Sequence, residues 1–396
     1  MNRIFTSESV SIGHPDKLAD QISDGVLDEF LRQDREAKVA CETFITDGLV
    51  IVGGEATANA YVDVREVAKK VLKRAGYTPD FFFDPNNFGL LTTIHEQSPD
   101  IRQGVVREED KKQGAGDQGI MFGYAVNEGK HFMPITTELA NRTMLLYDVC
   151  RRVEAKRGEG LFGPDAKCQY SVLYDNGKPV EITNILMSMQ HRDGVDENII
   201  KAFASDIVSY LSQEDTYGSL ITNNTKLVIN PTGKFVIGGP KGDTGLTGRK
   251  IIVDTYGGRG AHGGGAFSGK DPSKVDRSAA YMARYLAKNI VASKICDECL
   301  IQLSYMIGVD EPSSIYVKTD KGEELDQKLI NYLMSEEMKP LLTPYGIITT
   351  LNLKNPIYRE TATFGHFGRS SYVSEDGITL FPWEKLDLVD RFKEIK

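Results

Sequence analysis

The 396-residue sequence is poor in cysteine and histidine. Its five cysteines are too few and too scattered for a disulfide framework, so we expect reduced thiols. Cys296 and Cys299 have CxxC spacing, but neither a second such pair nor a histidine pair completes a zinc site. The six histidines lack the H-E-x-x-H pattern of zinc hydrolases, and the G-x-S-x-G elbow of serine hydrolases is absent. These absences argue against both hydrolase classes and against a disulfide-stabilised secreted protein.

Long apolar runs are also missing. No stretch of about 18 apolar residues could span a bilayer, and no apolar signal core precedes Glu8. We therefore expect no membrane partner and a cytoplasmic location.

An excess of positive charge is lacking as well. Lys and Arg total 47 against 56 for Asp and Glu, which gives a formal net charge of -9. Because binding to nucleic-acid phosphates needs a basic surface, this balance argues against a nucleic-acid partner and leaves only a local basic pocket open.

The remaining composition is that of a globular protein, with 40% hydrophobic and 26% charged residues. Strand–turn–strand patterns occur at 39–57, 167–191 and 300–319, with turn signals at 47–48, 175–178 and 310–312. Helical spacing of apolar residues predicts helices at 15–31, 62–74, 138–156, 197–211 and 272–293. The repetition predicts an α+β fold of three similar domains, each a β-sheet with helices on one face. We place the sequence boundaries at 1–100, 112–231 and 232–385, although the structural domains could interleave.

The first predicted helix begins with an unusual run. Pro15 suits the first helical turn, Asp16 suits its positive end, and together they hold His14 at the helix entry. Asp20, Asp24 and Asp28 follow at helical spacing on the side opposite the apolar residues. We interpret that acidic stripe as a solvated helix face.

Two glycine-rich runs resemble nucleotide-binding patterns. Residues 264–270 fit the first seven positions of a P-loop, but Asp271 stands where that motif needs Ser or Thr for magnesium. Residues 114–119 match G-x-G-x-x-G, yet charged residues precede them rather than a strand. A P-loop NTPase and a dinucleotide fold are both disfavoured, while the glycine amides around Lys270 remain suited to an anion.

Cations concentrate between residues 234 and 277, interleaved with glycine. They are Lys234, Lys241, Arg249, Lys250, Arg259, Lys270, Lys274 and Arg277. This pattern favours a site for a polyanion such as a nucleoside triphosphate. Such a ligand usually brings Mg²⁺, for which Asp16, Asp271 and Asp276 offer carboxylates, although each alone is more typical of a helix cap.

Three runs together closely resemble the S-adenosylmethionine synthetase (methionine adenosyltransferase) family: GHPDK at 13–17, GAGDQG at 114–119 and GGGAFSGKD at 263–271. The similarity extends from about residue 5 to about residue 369. It implies three similar α+β domains with pseudo-three-fold symmetry. It also implies a transferase in which the sulfur of L-methionine attacks C5′ of ATP, and the released tripolyphosphate is hydrolysed to pyrophosphate and phosphate.

The resemblance also implies roles for individual residues. His14 resembles the donor at the breaking bond, and the other catalytic candidates are Lys167, Arg249 and Lys270. The ATP and tripolyphosphate contacts are His14, Asp165, Lys167, Lys234, Phe235, Asp243, Arg249, Lys250, Ala266 and Lys270. The methionine-pocket residues are Glu55, Gln97, Asp117, Asp243 and Lys274. Residues Gln97 to Arg107 resemble the family's flexible gating loop.

Cofactors and assembly follow from the same resemblance. Asp16 and Asp276 resemble ligands of two Mg²⁺ ions per site, and Glu42 resembles the K⁺ ligand. Active sites shared between two subunits imply a homodimer, commonly paired into a homotetramer. The sequence departs from the family at Lys234, where we expect Arg, at Ile12, where we expect Glu, and in an insert at 370–377. A non-catalytic nucleotide-binding regulatory subunit remains the alternative.

Overall fold

The computed structural model describes residues 2–96 and 113–395. The helices are α1 (Pro15–Gln33), α2 (Val64–Ala75), α3 (Ile135–Lys156), α4 (Glu197–Ser212), α5 (Ile251–Asp254), α6 (Val275–Ala292), α7 (Glu323–Leu333), α8 (Pro344–Thr350) and α9 (Val389–Lys393). The strands are β1 (Arg3–Val10), β2 (Lys38–Thr46), β3 (Leu49–Thr57), β4 (Gly89–His95), β5 (Gly119–Val126), β6 (Phe162–Asp175), β7 (Lys178–His191), β8 (Lys226–Ile229), β9 (Gly245–Leu246), β10 (Glu298–Tyr305), β11 (Ser314–Thr319), β12 (Tyr372–Val373) and β13 (Thr379–Leu380).

One structural unit occurs three times, as a sheet with one long helix packed on it and a second helix beside that. The sheet β4-β3-β2-β9 carries α1 and α2, the sheet β1-β6-β7-β8 carries α3 and α4, and the sheet β11-β10-β5 carries α6 and α7. Alternate strand residues are buried against the helices, as the period of a half-buried strand requires. The predicted α+β class and the repeat are confirmed.

Each unit takes one strand from a different part of the chain. Strand β1 pairs with β6 of the second unit, β5 pairs with β10 of the third, and β9 pairs with β2 of the first. The structural units are thus interleaved in a cycle and do not coincide with continuous segments. The boundaries at 1–100, 112–231 and 232–385 remain predictions about the sequence.

Local structure follows the sequence patterns. The three predicted hairpins are β2–β3, β6–β7 and β10–β11. Their turns lie at the Asp-Gly, at the Asn-Gly and at the break near Asp310, as the sequence predicts. The five predicted helices are α1, α2, α3, α4 and α6, with ends within three residues of the predicted ends. Local propensity and turn chemistry therefore account for the three hairpins and for five of the helices in the described residues.

The interpretation of the acidic stripe on α1 as a solvated face is wrong. Asp20 and Asp24 are fully buried, and Asp28 is nearly so. The apolar side of α1 faces β2 and α2, while the acidic side is covered by loops that arrive from residues 246–248, 267–270 and 358–361. Helical periodicity identified the face correctly, but it could not show that distant loops cover it.

The insert at 370–377 is expected to be a surface loop. It forms part of a small hairpin in which Tyr372 pairs with Leu380 and Val373 with Thr379. Its turn residues are exposed, and no site residue predicted from the sequence lies in it. None of the helices in the described residues combines the length and apolar composition needed to cross a bilayer.

Candidate active site

His14 is the N-cap residue of α1, and its local geometry fixes its tautomer. The imidazole Nδ1 accepts the backbone N–H of Asp16 at 3.2 Å, and Pro15 occupies the first helical turn. Burial lowers the pKa of His14 to about 3, and the positive charges of Lys250 and Lys167 act in the same direction. The ring is therefore neutral near pH 7. Because Nδ1 accepts a hydrogen bond, the single ring proton resides on Nε2, which is a donor.

Asp16 lies next to His14 and holds two cations close to it. Its carboxylate accepts the backbone N–H of Leu246 at 3.0 Å and the ammonium of Lys250 at 2.5 Å, with the Arg249 guanidinium at 3.9 Å. Burial opposes ionisation of this carboxyl group, but the hydrogen bonds from Lys250 and Leu246 outweigh it and lower the pKa of Asp16. The result is an anionic carboxylate flanked by positive charge.

Asp165 and Lys167, on β6, lie beside this group. Asp165 is buried and accepts the backbone N–H of Gly239 at 2.8 Å through one oxygen. Its other oxygen has no hydrogen-bond partner in the described part of the chain. Burial raises the pKa of Asp165 to about 6, and the nearby charges of Lys167 and Lys250 partly offset this. An unsatisfied buried carboxyl oxygen next to exposed Lys167 fits a contact with a bound polar molecule.

The outer residues of this group are less tightly held. Lys234 is 80% exposed and lies 3.3 Å from Asp193. The backbone N–H of Phe235 donates to His191 at 3.2 Å. Asp243 is exposed. Across residues 2–96 and 113–395, its carboxylate accepts one hydrogen bond, from the backbone N–H of Thr244.

A second group forms around the third glycine-rich run. Lys270 and Asp276 pair at 2.5 Å, and both are partly exposed. Gly265 lies against the Asp276 carboxylate, where an added Cβ would come within 2.5 Å of Asp276 Cγ. The run at 114–119 packs alongside, since the N–H of Gly116 donates to Ser273 at 3.2 Å. The structure therefore brings together two of the three runs that carry the resemblance.

A cleft of about 450 Å³ lies next to Lys270, between the glycine-rich loop and the sheet of the first unit. Ala266, Lys270, Glu42 and Glu55 line it. Glu55 also lies 3.6 Å from His95. Four residues that are predicted to contact ATP, methionine or K⁺ thus line one cleft.

Asp271 explains why the P-loop pattern is misleading. Its carboxylate is buried, accepts the backbone N–H groups of Val39 and Ser273, and pairs with Lys274 at 2.5 Å. It joins the loop to β2 and caps the approach to α6, which starts one residue after Lys274. Lys274 and Asp117 are both predicted to contact methionine. Lys274 is mostly buried in its ion pair with Asp271, whereas Asp117 is exposed.

The segments that carry the two groups are adjacent, since Leu246 and Thr247 line the same cleft as Ala266 and Lys270. In the described residues no hydrogen bond or ion pair joins His14 or Asp16 to Lys270 or Asp276. Gln97 and Arg107, and with them the predicted gating loop, lie outside the described residues.

Sequence analysis missed two residues behind His14. The ammonium of Lys17 is buried, 2.9 Å from Asp20 and 2.5 Å from Asp254. Burial opposes protonation of Lys17, but the two carboxylates more than compensate and raise its pKa. Lys17 belongs to the GHPDK run, which was the available signal. Nothing in the sequence placed Asp254 next to it.

The carboxylates suit a hard cation that is held mainly by a substrate. No group of three or more His, Cys, Asp or Glu side chains comes together as a metal site across residues 2–96 and 113–395. Mg²⁺ needs only one or two protein carboxylates when phosphates supply further oxygens. Asp16 and Asp276, each now paired with a lysine, fit that requirement.

Sequence comparisons agree with this arrangement. Domain models described as the S-adenosylmethionine synthetase N-terminal, central and C-terminal domains match residues 2–99, 112–235 and 237–385. A relative from Cytophaga hutchinsonii, S-adenosylmethionine synthase, is 50% identical over 422 aligned positions that cover 100% of this chain and 99% of the relative. Relatives of the same name from Porphyromonas gingivalis and Flavobacterium psychrophilum are each 49% identical, over 99% of this chain and 99% of each relative. With all three domains matched, the chain belongs to the S-adenosylmethionine synthetase family.

Proposed function

We propose that the chain synthesises S-adenosylmethionine from ATP and L-methionine at the site formed by the His14 and Lys270 groups. Family membership gives the reaction class, so the chain is a methionine adenosyltransferase. The names of its full-length relatives do not favour the regulatory-subunit alternative. The assignment of individual residues is the part that the proposal adds.

The observation that carries the proposal is the buried, neutral His14 with its proton on Nε2. A neutral thioether attacks C5′, so no side chain has to form a covalent bond. Catalysis then depends on orienting the sulfur and on stabilising the charge that develops on the departing oxygen. A donor that stays neutral can hydrogen-bond to the ribose and to that oxygen without requiring a proton from solvent.

The departing triphosphate requires concentrated positive charge. Lys167, Arg249 and Lys250 supply it near His14, and Lys270 supplies it at the glycine-rich loop. Asp165, Phe235, Asp243 and Ala266 would contact the nucleoside and the phosphates. Lys234 keeps the charge of the expected Arg but lacks the planar fork for bidentate contacts.

Metal ions complete the phosphate site. Members of this family need metal ions, and we propose Mg²⁺ held by Asp16 and Asp276, two ions per site, with K⁺ near Glu42. When bound, Mg²⁺ neutralises phosphate charge and supports departure of the leaving group. The carboxylates of Asp16 and Asp276 would then exchange their lysine partners for the ions, which frees Lys250 and Lys270 for phosphate oxygens.

Methionine would bind at the side of the cleft that holds Glu55, with Asp117, Asp243 and Lys274 as further contacts. Gln97 and the loop to Arg107 would close over it and exclude water.

We further propose a homodimer with shared active sites, paired into a homotetramer and located in the cytoplasm. The shared site rests on family membership, and in it the His14 group of one subunit would face the Lys270 group of the other.

A product assay tests the function. Purified protein is incubated with ATP, L-methionine, Mg²⁺ and K⁺, and chromatography follows the sulfonium product while phosphate and pyrophosphate are quantified. We expect all three products from the purified chain alone. Release of ADP as the only nucleotide product would reject the proposal, and absence of any turnover would favour the regulatory subunit.

A further inference from the structure

Helix α1 carries four aspartates at one-turn intervals: Asp16, Asp20, Asp24 and Asp28. All four are buried, and each accepts at least one backbone N–H from a distant segment of the chain. Asp16 binds the N–H of Leu246, Asp20 that of Gly248, Asp24 that of Gly269, and Asp28 those of Tyr358 and Arg359. Residues four apart share one face of a helix, so a single rigid ridge holds these loops.

Asp20 fixes the segment that leads into Arg249 and Lys250. Its Oδ1 accepts the N–H of Gly248 at 2.8 Å, and its Oδ2 pairs with Lys17 at 2.9 Å. Gly248 has a φ of +77°, a conformation that favours glycine, and it directly precedes Arg249. The hydrogen bond therefore sets where the chain turns immediately before the two cations.

Asp24 fixes the loop that carries Lys270. Its Oδ1 accepts the N–H of Gly269 at 2.8 Å, and both of its oxygens bind the Arg277 guanidinium, at 2.6 and 2.9 Å. Arg277 in turn donates to the carbonyl oxygens of Phe267 at 2.9 Å and of Lys270 at 3.3 Å. One bidentate ion pair therefore holds both N–H and C=O groups of the loop.

The packing leaves this loop little freedom. A Cβ at Gly269 would come within 1.8 Å of the Cys41 carbonyl oxygen, and the N–H of Cys41 donates to Gly269 at 3.0 Å. The Asp24 and Arg277 side chains are almost fully buried, where charge-assisted hydrogen bonds are strong and a lost partner is destabilising.

We propose that Asp20 and Asp24 are positioning residues: Asp20 places Lys250, and Asp24 places Lys270, each for the phosphate chain of the site that its lysine enters. This proposal rests on the proposed function, because Asp20 and Asp24 would hold in place the lysines that contact the phosphates in that function. Neither aspartate touches the substrate. Each acts through the main chain next to one cation, at Gly248 and at Gly269.

The test compares Asp24→Asn with Asp28→Asn. An asparagine at 24 keeps the oxygen that serves Gly269 and one Arg277 nitrogen. It loses the negative charge opposite Arg277, and its amide NH₂ group replaces the oxygen that accepts from the other guanidinium nitrogen. Asp28 is the matched control, since it lies one turn further along, is buried, and accepts two backbone N–H groups from a segment with no proposed site residue. The measurements are kcat and KM for hydrolysis of added tripolyphosphate, calorimetric affinity for tripolyphosphate, and melting temperature.

For Asp24→Asn we expect kcat/KM for tripolyphosphate to fall on the order of ten- to a hundred-fold, as small misplacements of catalytic groups do. Tripolyphosphate affinity should weaken in parallel, while Asp28→Asn changes only stability. Wild-type kinetics in folded Asp24→Asn would overturn the proposal, as would an equal kinetic loss in Asp28→Asn.

If Asp24→Asn does not fold, Arg277→Lys is judged by the same criteria. Lysine keeps the charge opposite Asp24 but cannot also reach the Phe267 and Lys270 carbonyl oxygens. A wild-type protein that makes no S-adenosylmethionine rejects the proposed function, and the affinity measurement still decides the positioning role.

Discussion

At the scale of single residues, the neighbours of each side chain decide its charge. His14 is uncharged because it is buried among lysines, whereas Asp16 is ionised because Lys250 and a backbone N–H bind it. Lys17 remains a cation in the interior because two carboxylates surround it. The same three residue types in water would titrate at their ordinary values, so the fold assigns their roles.

His14→Asn is expected to lower turnover strongly while the fold and ATP binding persist. Asparagine is a good N-cap residue, so the start of α1 should survive. The variant lacks the Nε2 donor that we propose at the breaking bond, and removal of one such donor lowers kcat on the order of a hundred- to a thousand-fold. Steady-state kinetics and calorimetric ATP binding check this, and an unchanged kcat would remove His14 from the mechanism.

Lys270→Met is expected to impair the steps that involve the released triphosphate. Methionine keeps much of the side-chain length but removes the charge, and Asp276 loses its partner at 2.5 Å. Hydrolysis of added tripolyphosphate should fall on the order of ten-fold or more.

Lys241→Met is the matched control for that change. Lys241 lies in the same basic region, is partly exposed and pairs with Asp47, yet it has no proposed contact with substrate. Equal hydrolysis rates in the two variants would contradict the role of Lys270.

At the scale of elements, prediction succeeded where the controlling interactions are local. The β2–β3 and β6–β7 hairpins follow from Asp-Gly and Asn-Gly turns, and α1 begins where Pro15 and Asp16 indicate. The environment of the acidic side of α1 could not be predicted in this way. Gly248, Gly269 and Tyr358, which bind Asp20, Asp24 and Asp28, lie more than 200 positions away in sequence, and no pattern in the helix records them.

Asp28, on the acidic stripe of α1, is expected to make the stability of the protein depend on pH. Burial raises the pKa of this carboxyl group to about 7, from an ordinary value of 3.8, despite two backbone hydrogen bonds. Between these values the folded state keeps a proton that the unfolded state has lost. The contribution of Asp28 to stability therefore decreases as pH rises from about 4 to about 7.

Asp28→Asn should remove this dependence. The stability of the variant relative to wild type should improve as pH rises from 5 to 8, by at most about 1.4 kcal/mol per pH unit. Urea unfolding of both proteins at several pH values measures the difference. A difference that stays constant over this range would show that Asp28 does not titrate there.

At the scale of the whole molecule, strand exchange ties the three units together. Each sheet contains a strand from another part of the chain, so no unit can separate without breaking a sheet. The cyclic order could not be read from the sequence, because each strand looks the same whichever sheet it joins. If the proposed dimer shares its active sites, catalysis requires the His14 group of one subunit and the Lys270 group of the other.

Mixing two impaired variants tests that requirement. His14→Asn and Lys270→Met are co-expressed, so that dimers form at random. If each site takes His14 from one subunit and Lys270 from the other, a mixed dimer has one site with both defects and one site with none. With half of the dimers mixed, activity should return to about a quarter of the wild-type level. Sites formed within single chains would each keep one defect, and the co-expressed protein would then be no more active than the separate variants.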